Sequence, residues 1–505
     1  MEGFRVPPAL QRFELIVAPL LGAIATLGFA PFSFWYAPVL ALAFLFLLCA
    51  DRTWKRAALL GWLFGIAHFA TGVYWIFIST HVYGGAPFWL GLLLCAVLFS
   101  YMALYPALVC GAATRLGVWR AGLGFAALPA LWVLSELLRG WIYSGFPWLS
   151  LGIVALDQPA ERFAPIIGEH GLSALYVLCA YALFRMAGAS RRQWVACVAI
   201  AFSPLLGMAL PDGGSWTRDD GAAMPVAIVQ GNVPQDEKWL RGKSEEILAR
   251  YQAMTLAALD AKLVAWPEVV PNQPFDLVPD YFAALDEAAR ARGSTLLAGV
   301  LIREEDDAIY NSMLAVGRSQ GRYDKRHLVP FGEYFPIPAW LRPIMDVLGT
   351  PYSDFSSGGA RFNPIDVEGH RVGISICFED VFGAEFVRES RDAAFLVNAT
   401  NDAWFARSSE PHQHLAIARL RALETGRWLV RATNTGLSAY IRPDGRVASR
   451  SGHYTTEILR GEIVPRAGLT PYARWTNAPL WVGSVVVIAV CVIGAIRRRA
   501  KVNAS

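Results

Sequence analysis

Seven apolar runs crowd into the first 210 residues, at about 14–30, 34–50, 57–79, 88–113, 122–138, 172–187 and 193–210, and an eighth covers about 479–496. A helix rises about 1.5 Å per residue, so about seventeen residues cross most of a hydrocarbon core about 30 Å thick. One such run could be the buried core helix of a soluble domain. Eight with few interior charges predict an α-helical membrane bundle of eight transmembrane helices. Composition agrees, with 55% of the 505 residues hydrophobic and 17% charged, too apolar for an ordinary soluble enzyme. The net charge of +4 is small, and its basic residues are dispersed or flank the apolar runs. That pattern excludes a nucleic-acid surface.

Arg5 and Arg12 precede the first run, as in a signal peptide, but Pro31 follows Ala30 directly and further runs come at once. An uncleaved first span is expected. With a cytoplasmic N-terminus, the short inner segments hold Arg5, Arg12, Arg52, Lys55, Arg56, Arg115, Arg120, Arg185, Arg191, Arg192, Arg497, Arg498, Arg499 and Lys501, against Arg139 and Arg162 outside. Fourteen against two sets the orientation. It predicts a membrane domain over 1–210, an outer domain over 211–477 beyond the cytoplasm, and an eighth span with a basic cytoplasmic tail over 478–505. Residues 139–148, aromatic and broken by Gly and Pro, end in Trp148. They are expected at headgroup level, lining a route for lipid or simply anchoring the bundle. Glu136, Glu169 and His170 are expected at the interface.

At 211–215 the chain turns polar and glycine-rich, a linker signal. Beyond it, strands expected at 226–229, 263–266, 295–302, 311–316, 372–376, 394–400 and 428–433 alternate with helices at 244–262, 279–292 and 411–425. A hairpin turn at 442–445 joins strands at 438–442 and 447–449. About 265 residues of this kind make one α/β domain.

Six cysteines (Cys49, Cys95, Cys110, Cys179, Cys197, Cys491) fall in or beside the apolar runs, so Cys377 is the one cysteine of the outer domain. A lone strand cysteine is most often a small hydrophobe. Held without a partner in an oxidising compartment, it is a liability unless its reactivity is used. Cys377 closes the strand Val372-Gly373-Ile374-Ser375-Ile376, Glu268 follows a strand in Ala265-Trp266-Pro267-Glu268, and Lys325 lies in Tyr323-Asp324-Lys325-Arg326-His327. Taken singly, Glu268 could cap a turn and Lys325 could be a solvated loop charge. Convergence at strand ends is how α/β folds build sites. A thiol of pKa near 8.5 needs a base or a counter-charge to act at neutral pH. The chemistry assigns Glu268 as general base and Lys325 as counter-charge and oxyanion donor.

These three segments, with Leu328-Val329-Pro330-Phe331-Gly332-Glu333-Tyr334, Gln230-Gly231-Asn232-Val233-Pro234-Gln235, Lys238-Trp239 and Asn401-Asp402-Ala403-Trp404-Phe405, resemble the Glu-Lys-Cys triad motifs of the nitrilase (carbon-nitrogen hydrolase) superfamily. Apolar spans on both sides make the whole chain similar to its membrane-embedded, acyl-transferring branch in bacterial inner membranes. The resemblance implies an α-β-β-α sandwich on the periplasmic side, facing the bilayer. It implies a phospholipid donor, typically phosphatidylethanolamine, whose acyl chain forms a thioester on Cys377 and passes to the amino group of the diacylglyceryl-cysteine that begins a lipoprotein. No metal or organic cofactor is implied. Glu333 and Glu379 would orient Lys325 and the site; Trp239, Asn311, Tyr334, Trp404 and Trp148 would shape the substrate pocket.

Residues 331–355 are apolar enough to be expected as a mobile lid over lipid. Phe378 stands where tyrosine is common and Ala406 where glycine often follows, so no Tyr hydroxyl is available beside the cysteine. His412 and His414 beside Glu410 offer only an HxH pair, expected to cap or face solvent. A membrane-tethered amidase or nitrilase, and a ligand-binding transporter or sensor, are the competing classes.

Overall fold

The computed structural model describes residues 12–119, 122–240, 242–334, 354–359 and 365–503. The chain divides into two compact units. One holds the residues up to Tyr74, Trp89–Pro211 and the stretch from Trp475 onward; the other holds Trp75–Phe88 and Asp212–Arg474.

Each apolar run becomes helical in the first unit: α1 (Glu14–Ala25), α2 (Tyr36–Cys49), α3 (Trp54–Gly72), α4 (Phe88–Leu116), α5 (Gly124–Arg139), α6 (Ala164–Met186), α7 (Arg191–Ala201) and a last helix at Ala478–Asn503. Three segments, Phe88–Leu116, Pro159–Met186 and Ala478–Arg498, are long and apolar enough to cross a membrane. Two bent pairs raise that to at most five among the described residues. The expected third span over 57–79 does not run through. Its helix stops at Gly72, the chain turns by 57°, and Trp75–Tyr83 counts with the second unit. The expected seventh span bends by 49° before Ser203–Ala209, where Pro204 removes a backbone donor.

Close backbone approach holds these helices. A Cβ on Gly65 would lie 2.7 Å from the Cα of Ala103, so α3 and α4 touch where only glycine fits. Glu136, Glu169 and His170, expected at the interface, are buried. Glu136 accepts from the Trp132 indole (2.8 Å) and the Leu151 N–H (2.9 Å), because a carboxylate removed from water needs donors. Arg139, also expected outside, is buried and donates to the carbonyls of Phe146 and Trp148.

The second unit is built on two six-stranded sheets. The first contains β1 (Met224–Gln230), β2 (Leu263–Ala265), β3 (Thr295–Arg303), β4 (Ile309–Gly317) and β5 (Gly321–Asp324). The second contains β6 (Ile365–Val367), β7 (His370–Ile376), β8 (Phe395–Thr400), β9 (Leu429–Thr433), β10 (Ala439–Ile441) and β11 (Val447–Arg450), and β12 (Glu457–Ile463) returns to pair with β1. The orders are β12-β1-β2-β3-β4-β5 and β11-β10-β9-β8-β7-β6. Side chains alternate faces along each strand. Val226 and Ile228 meet Ile374, Ile376, Val397 and Ala399 between the sheets. Ala227 and Val229 point outward onto Ile247, Tyr251, Phe282 and Leu285 of the helices Ser244–Ala258 and Pro279–Ala291. Phe386, Leu415, Ala418 and Ala422, from the helices Gly383–Glu389 and Glu410–Thr425, cover the second sheet. The layers are therefore α-β-β-α. The sheets are also tied by polar contacts. The Gln230 carbonyl accepts from Ser438 (2.6 Å) and Ser451 (2.8 Å), and Tyr440 donates to the carbonyl of Val226 at 2.7 Å.

Candidate active site

The site assembles at the ends of β2, β5 and β7. Glu268 lies three residues beyond β2, on a loop pinned to β3 by the Val270 N–H donating to the Gly299 carbonyl at 2.8 Å. A Cβ at Gly299 would come within 2.1 Å of the Pro267 carbonyl, so glycine is what lets this loop lie against the sheet. Lys325 directly follows β5, its N–H extending the ladder to the Asn311 carbonyl at 2.8 Å. Cys377 directly follows β7 with φ of +51°, in the left-handed region. Such a conformation costs a side-chain-bearing residue about 1–3 kcal/mol.

Glu379 holds that turn. Its Oε2 accepts from the Ile376 N–H (2.7 Å) and the Tyr323 hydroxyl (2.9 Å), its Oε1 from the N–H groups of Arg326 (2.7 Å) and His327 (3.1 Å). One carboxylate thus fastens the Cys377 turn to the segment after Lys325. Burial raises its pKa, and three of those N–H groups partly offset the shift.

Lys325, fully buried, donates to Glu268 Oε1 at 3.1 Å and to Glu333 Oε1 at 2.9 Å. Asn311 on β4 donates to the same two oxygens, at 2.7 and 2.9 Å. The Asn401 N–H reaches Glu268 Oε2 at 3.1 Å. Burial alone would lower the lysine's pKa, but the Glu268 and Glu333 carboxylates outweigh it and hold the ammonium well above its ordinary value. Burial pushes the Cys377 thiol well up, and the Glu268 carboxylate adds to this; the Lys325 ammonium and the Thr400 hydroxyl only partly oppose it. The balance favours the neutral thiol, and the counter-charge expected to make it a thiolate is outweighed.

Glu268, Lys325, Glu333 and Asn311 therefore form one hydrogen-bonded group, with Glu268 and Lys325 both acting on Cys377. Asn311, expected to line the pocket, has its amide nitrogen committed to the Glu268 and Glu333 carboxylates. Tyr334 is half-buried, its carbonyl accepting from the Phe331 N–H at 2.7 Å. Trp239 is half exposed. Trp404 is half-buried and meets the Tyr83 ring edge-on at 6.4 Å. Trp148 belongs to the helical unit, buried and stacked on Phe146 at 6.2 Å. Most of the expected lid over 331–355 lies outside the described residues.

Sequence reasoning missed a buried charged layer behind Cys377. His414, expected to cap or face solvent, is buried between Asp380 (2.9 Å) and Asp402 (3.3 Å). Arg431 donates to Asp402 Oδ2 at 3.0 Å and to Asn398 Oδ1 at 2.6 Å, and Asn398 donates to the Cys377 carbonyl at 3.3 Å. Asp402, Glu410 and His414 bring donor atoms within 4.8 Å of one another, a spacing that could hold a cation. Here the imidazole contacts all three acids, and Arg431 takes Asp402. Burial and the neighbouring Asp402 push Glu410 up to about 7. Arg431 followed by Thr433 inside a strand was the available signal, since a charge in a buried strand demands an acid partner.

Residues 21–182 match the family described as Apolipoprotein N-acyltransferase N-terminal domain, and residues 225–472 match Carbon-nitrogen hydrolase. The chain is similar to the Apolipoprotein N-acyltransferase of Methylococcus capsulatus, 38% identical over 94% of this chain and 95% of the relative. It is similar to that of Nitrosomonas europaea, 41% identical over 92% and 94%, and to that of Photobacterium profundum, 36% identical over 96% of each.

Proposed function

This chain belongs to the apolipoprotein N-acyltransferase family, and on that premise we propose that it carries the acyl group as a thioester on Cys377 between a phospholipid and a lipoprotein amine. It is a membrane protein with a nitrilase-like sandwich, and an acyltransferase of lipoprotein maturation. The observation that carries the proposed route is Glu268, buried and held at both oxygens by Lys325, Asn311 and Asn401, with its charge bearing on the Cys377 thiol.

In the first half-reaction the sulfur attacks the donor's ester carbon while Glu268 takes the thiol proton. A thiol held neutral cannot attack unassisted, so proton transfer accompanies bond formation. Lys325 has three N–H groups and spends two on Glu268 and Glu333. The third is available to the tetrahedral oxyanion. Collapse breaks the ester C–O bond, and Glu268 returns the proton to the departing glycerol oxygen. In the second half-reaction the lipoprotein's α-amine, neutral after losing a proton to solvent, attacks the thioester carbon. Glu268 removes a proton from the attacking nitrogen and delivers it to the leaving sulfur. An amide forms and Cys377 is restored as a thiol.

Phosphatidylethanolamine is the proposed donor, and a diacylglyceryl-cysteine N-terminus the acceptor. The proposed topology has eight crossings, with a membrane domain over 1–210, the sandwich over 211–477 on the periplasmic face of the inner membrane and a basic tail over 478–505. The fourteen-to-two asymmetry of short-loop charges supports it. No metal or organic cofactor enters any step. Purified protein exposed to phosphatidylethanolamine should carry a hydroxylamine-labile acyl mass on Cys377 that a diacylglyceryl peptide removes as its amide. An adduct elsewhere, or none, would overturn the route.

A further inference from the structure

We propose that Lys238 is the donor-phosphate anchor of this site, a buried ammonium that pairs with the phosphodiester of the phospholipid whose ester Cys377 attacks. The inference rests on the thioester reading above.

Lys238 ends the short helix Gln235–Lys238, and only 3% of it is exposed. A buried ammonium without an anion is unfavourable, yet among the described residues its Nζ makes no hydrogen bond or ion pair. It lies over the Trp239 ring, at 5.8 Å from the centroid. The helix is locked to the catalytic group. Gln235 accepts from Asn401 Nδ2 at 3.0 Å, and the Asn401 N–H is the one that holds Glu268. Asn272, four residues beyond Glu268, donates to the Lys238 carbonyl at 2.8 Å. Two separate tethers thus fix this turn beside the base, and neither uses the ammonium.

The charges nearby leave a place for this cation. Glu268 and Glu333 share the single ammonium of Lys325, and the Glu268 carboxylate bears on Lys238 as well. Burial nevertheless pushes Lys238 down to about 8, as happens when a lysine has no close counter-ion.

Which anion completes it follows from the substrates. The acceptor offers an amine and neutral esters at its reacting end. The donor carries a phosphodiester on the same glycerol as the scissile ester, a few bonds from the oxygen that Glu268 must reprotonate. That phosphate is the one anion either substrate brings within reach of the Glu268 loop. Once the lysophospholipid leaves, the unpaired ammonium would disfavour a charged acceptor amine beside it and favour the neutral nucleophile that the second step needs.

The test is single-turnover formation of acyl-Cys377, followed by mass spectrometry in full-length detergent-solubilised protein, with two donors sharing the same acyl ester: dipalmitoyl phosphatidylethanolamine and dipalmitoylglycerol, which lacks the phosphate. In wild type the phospholipid should react faster. In Lys238→Met the preference should fall by roughly ten- to hundredfold, the worth of one charge-assisted hydrogen bond, with the loss in half-saturating phospholipid concentration. Lys238→Arg should recover most of the preference. An equal loss with both donors would mark Lys238 as structural and overturn the proposal, as would an unchanged preference. A wild type that forms no adduct from either donor would instead remove the thioester reading on which the proposal rests.

Discussion

The backbone N–H of Asn401, just past β8 in one sheet, donates to Oε2 of Glu268, just past β2 in the other, at 3.1 Å. Glu268, the proposed base, is therefore positioned by the packing of the two sheets together. The Asn401 side chain secures that corner by donating to Gln235 (3.0 Å) and accepting from Asn434 (3.1 Å). Asn401→Ala should slow acyl-Cys377 formation by roughly tenfold to a hundredfold through misplacement of the base, with half-saturating donor concentration little changed. Single-turnover rates across donor concentrations check this.

Two variants should separate thiol reactivity from acyl transfer. The Glu268 carboxylate helps hold the Cys377 thiol protonated, and the Lys325 ammonium opposes it. Glu268→Gln should therefore abolish acyl transfer yet speed iodoacetamide alkylation of Cys377 at pH 8, because its thiolate appears at lower pH. Lys325→Met should abolish transfer and slow alkylation. Alkylation rates against pH decide between this and a preformed ion pair, in which Glu268→Gln would slow both.

Replacing Glu379 by Gln turns one acceptor oxygen into a donor facing the N–H groups or the hydroxyl that it now binds. Buried hydrogen bonds to a charged group are worth about 1.5–3 kcal/mol each, so the variant should lose at least that much stability. Its turn at Cys377, already at positive φ, should lose its fixed geometry. A lower melting temperature in detergent and slower adduct formation are expected together; either one without the other would contradict the clamp.

His414 gives a pH dependence with a definite sign. Burial and the neighbouring Arg431 would lower its pKa, but Asp380 and Asp402 raise it well above the ordinary histidine range. A raised folded pKa means that the stabilisation is complete below the unfolded value, about 6.5, and disappears as pH rises through the folded one. The difference in melting temperature between wild type and His414→Gln should be flat below about pH 6.5 and shrink as pH climbs. A difference that grows with pH would show a neutral imidazole in the folded protein.

Strands read from β-branched runs appear where expected, because strands buried on both faces are apolar throughout. Glu457–Ile463 escaped notice because charged and glycine positions along its exposed face break the run. That Glu268, Lys325 and Cys377 stand at strand ends was legible, and the structure brings the first two into contact there. The placements of Asn311 and Lys238 were not legible, since a buried amide that holds carboxylates and a buried lysine look identical to solvated side chains in sequence. His414 misled for a related reason: besides Glu410 one helical turn away, its acid partners Asp402 and Asp380 lie twelve and thirty-four positions off. The bend in the third apolar run was not legible, because hydropathy does not register that Trp75 and, just beyond the run, Tyr83 find aromatic partners at Phe405 and Trp404.

That last feature has a consequence for biosynthesis. The Trp75 indole donates to Gln413 at 3.2 Å, across 338 positions of sequence, so a piece of the sandwich leaves the ribosome long before the strands it will join. Non-local closures of this kind are slow, and until the Glu410–Thr425 helix has been synthesised the residues around Trp75 have no docking place in the sandwich. A polypeptide beginning at the 211–215 linker would be born without its indole, so the sandwich cannot be excised by one cut or transplanted whole as a cassette.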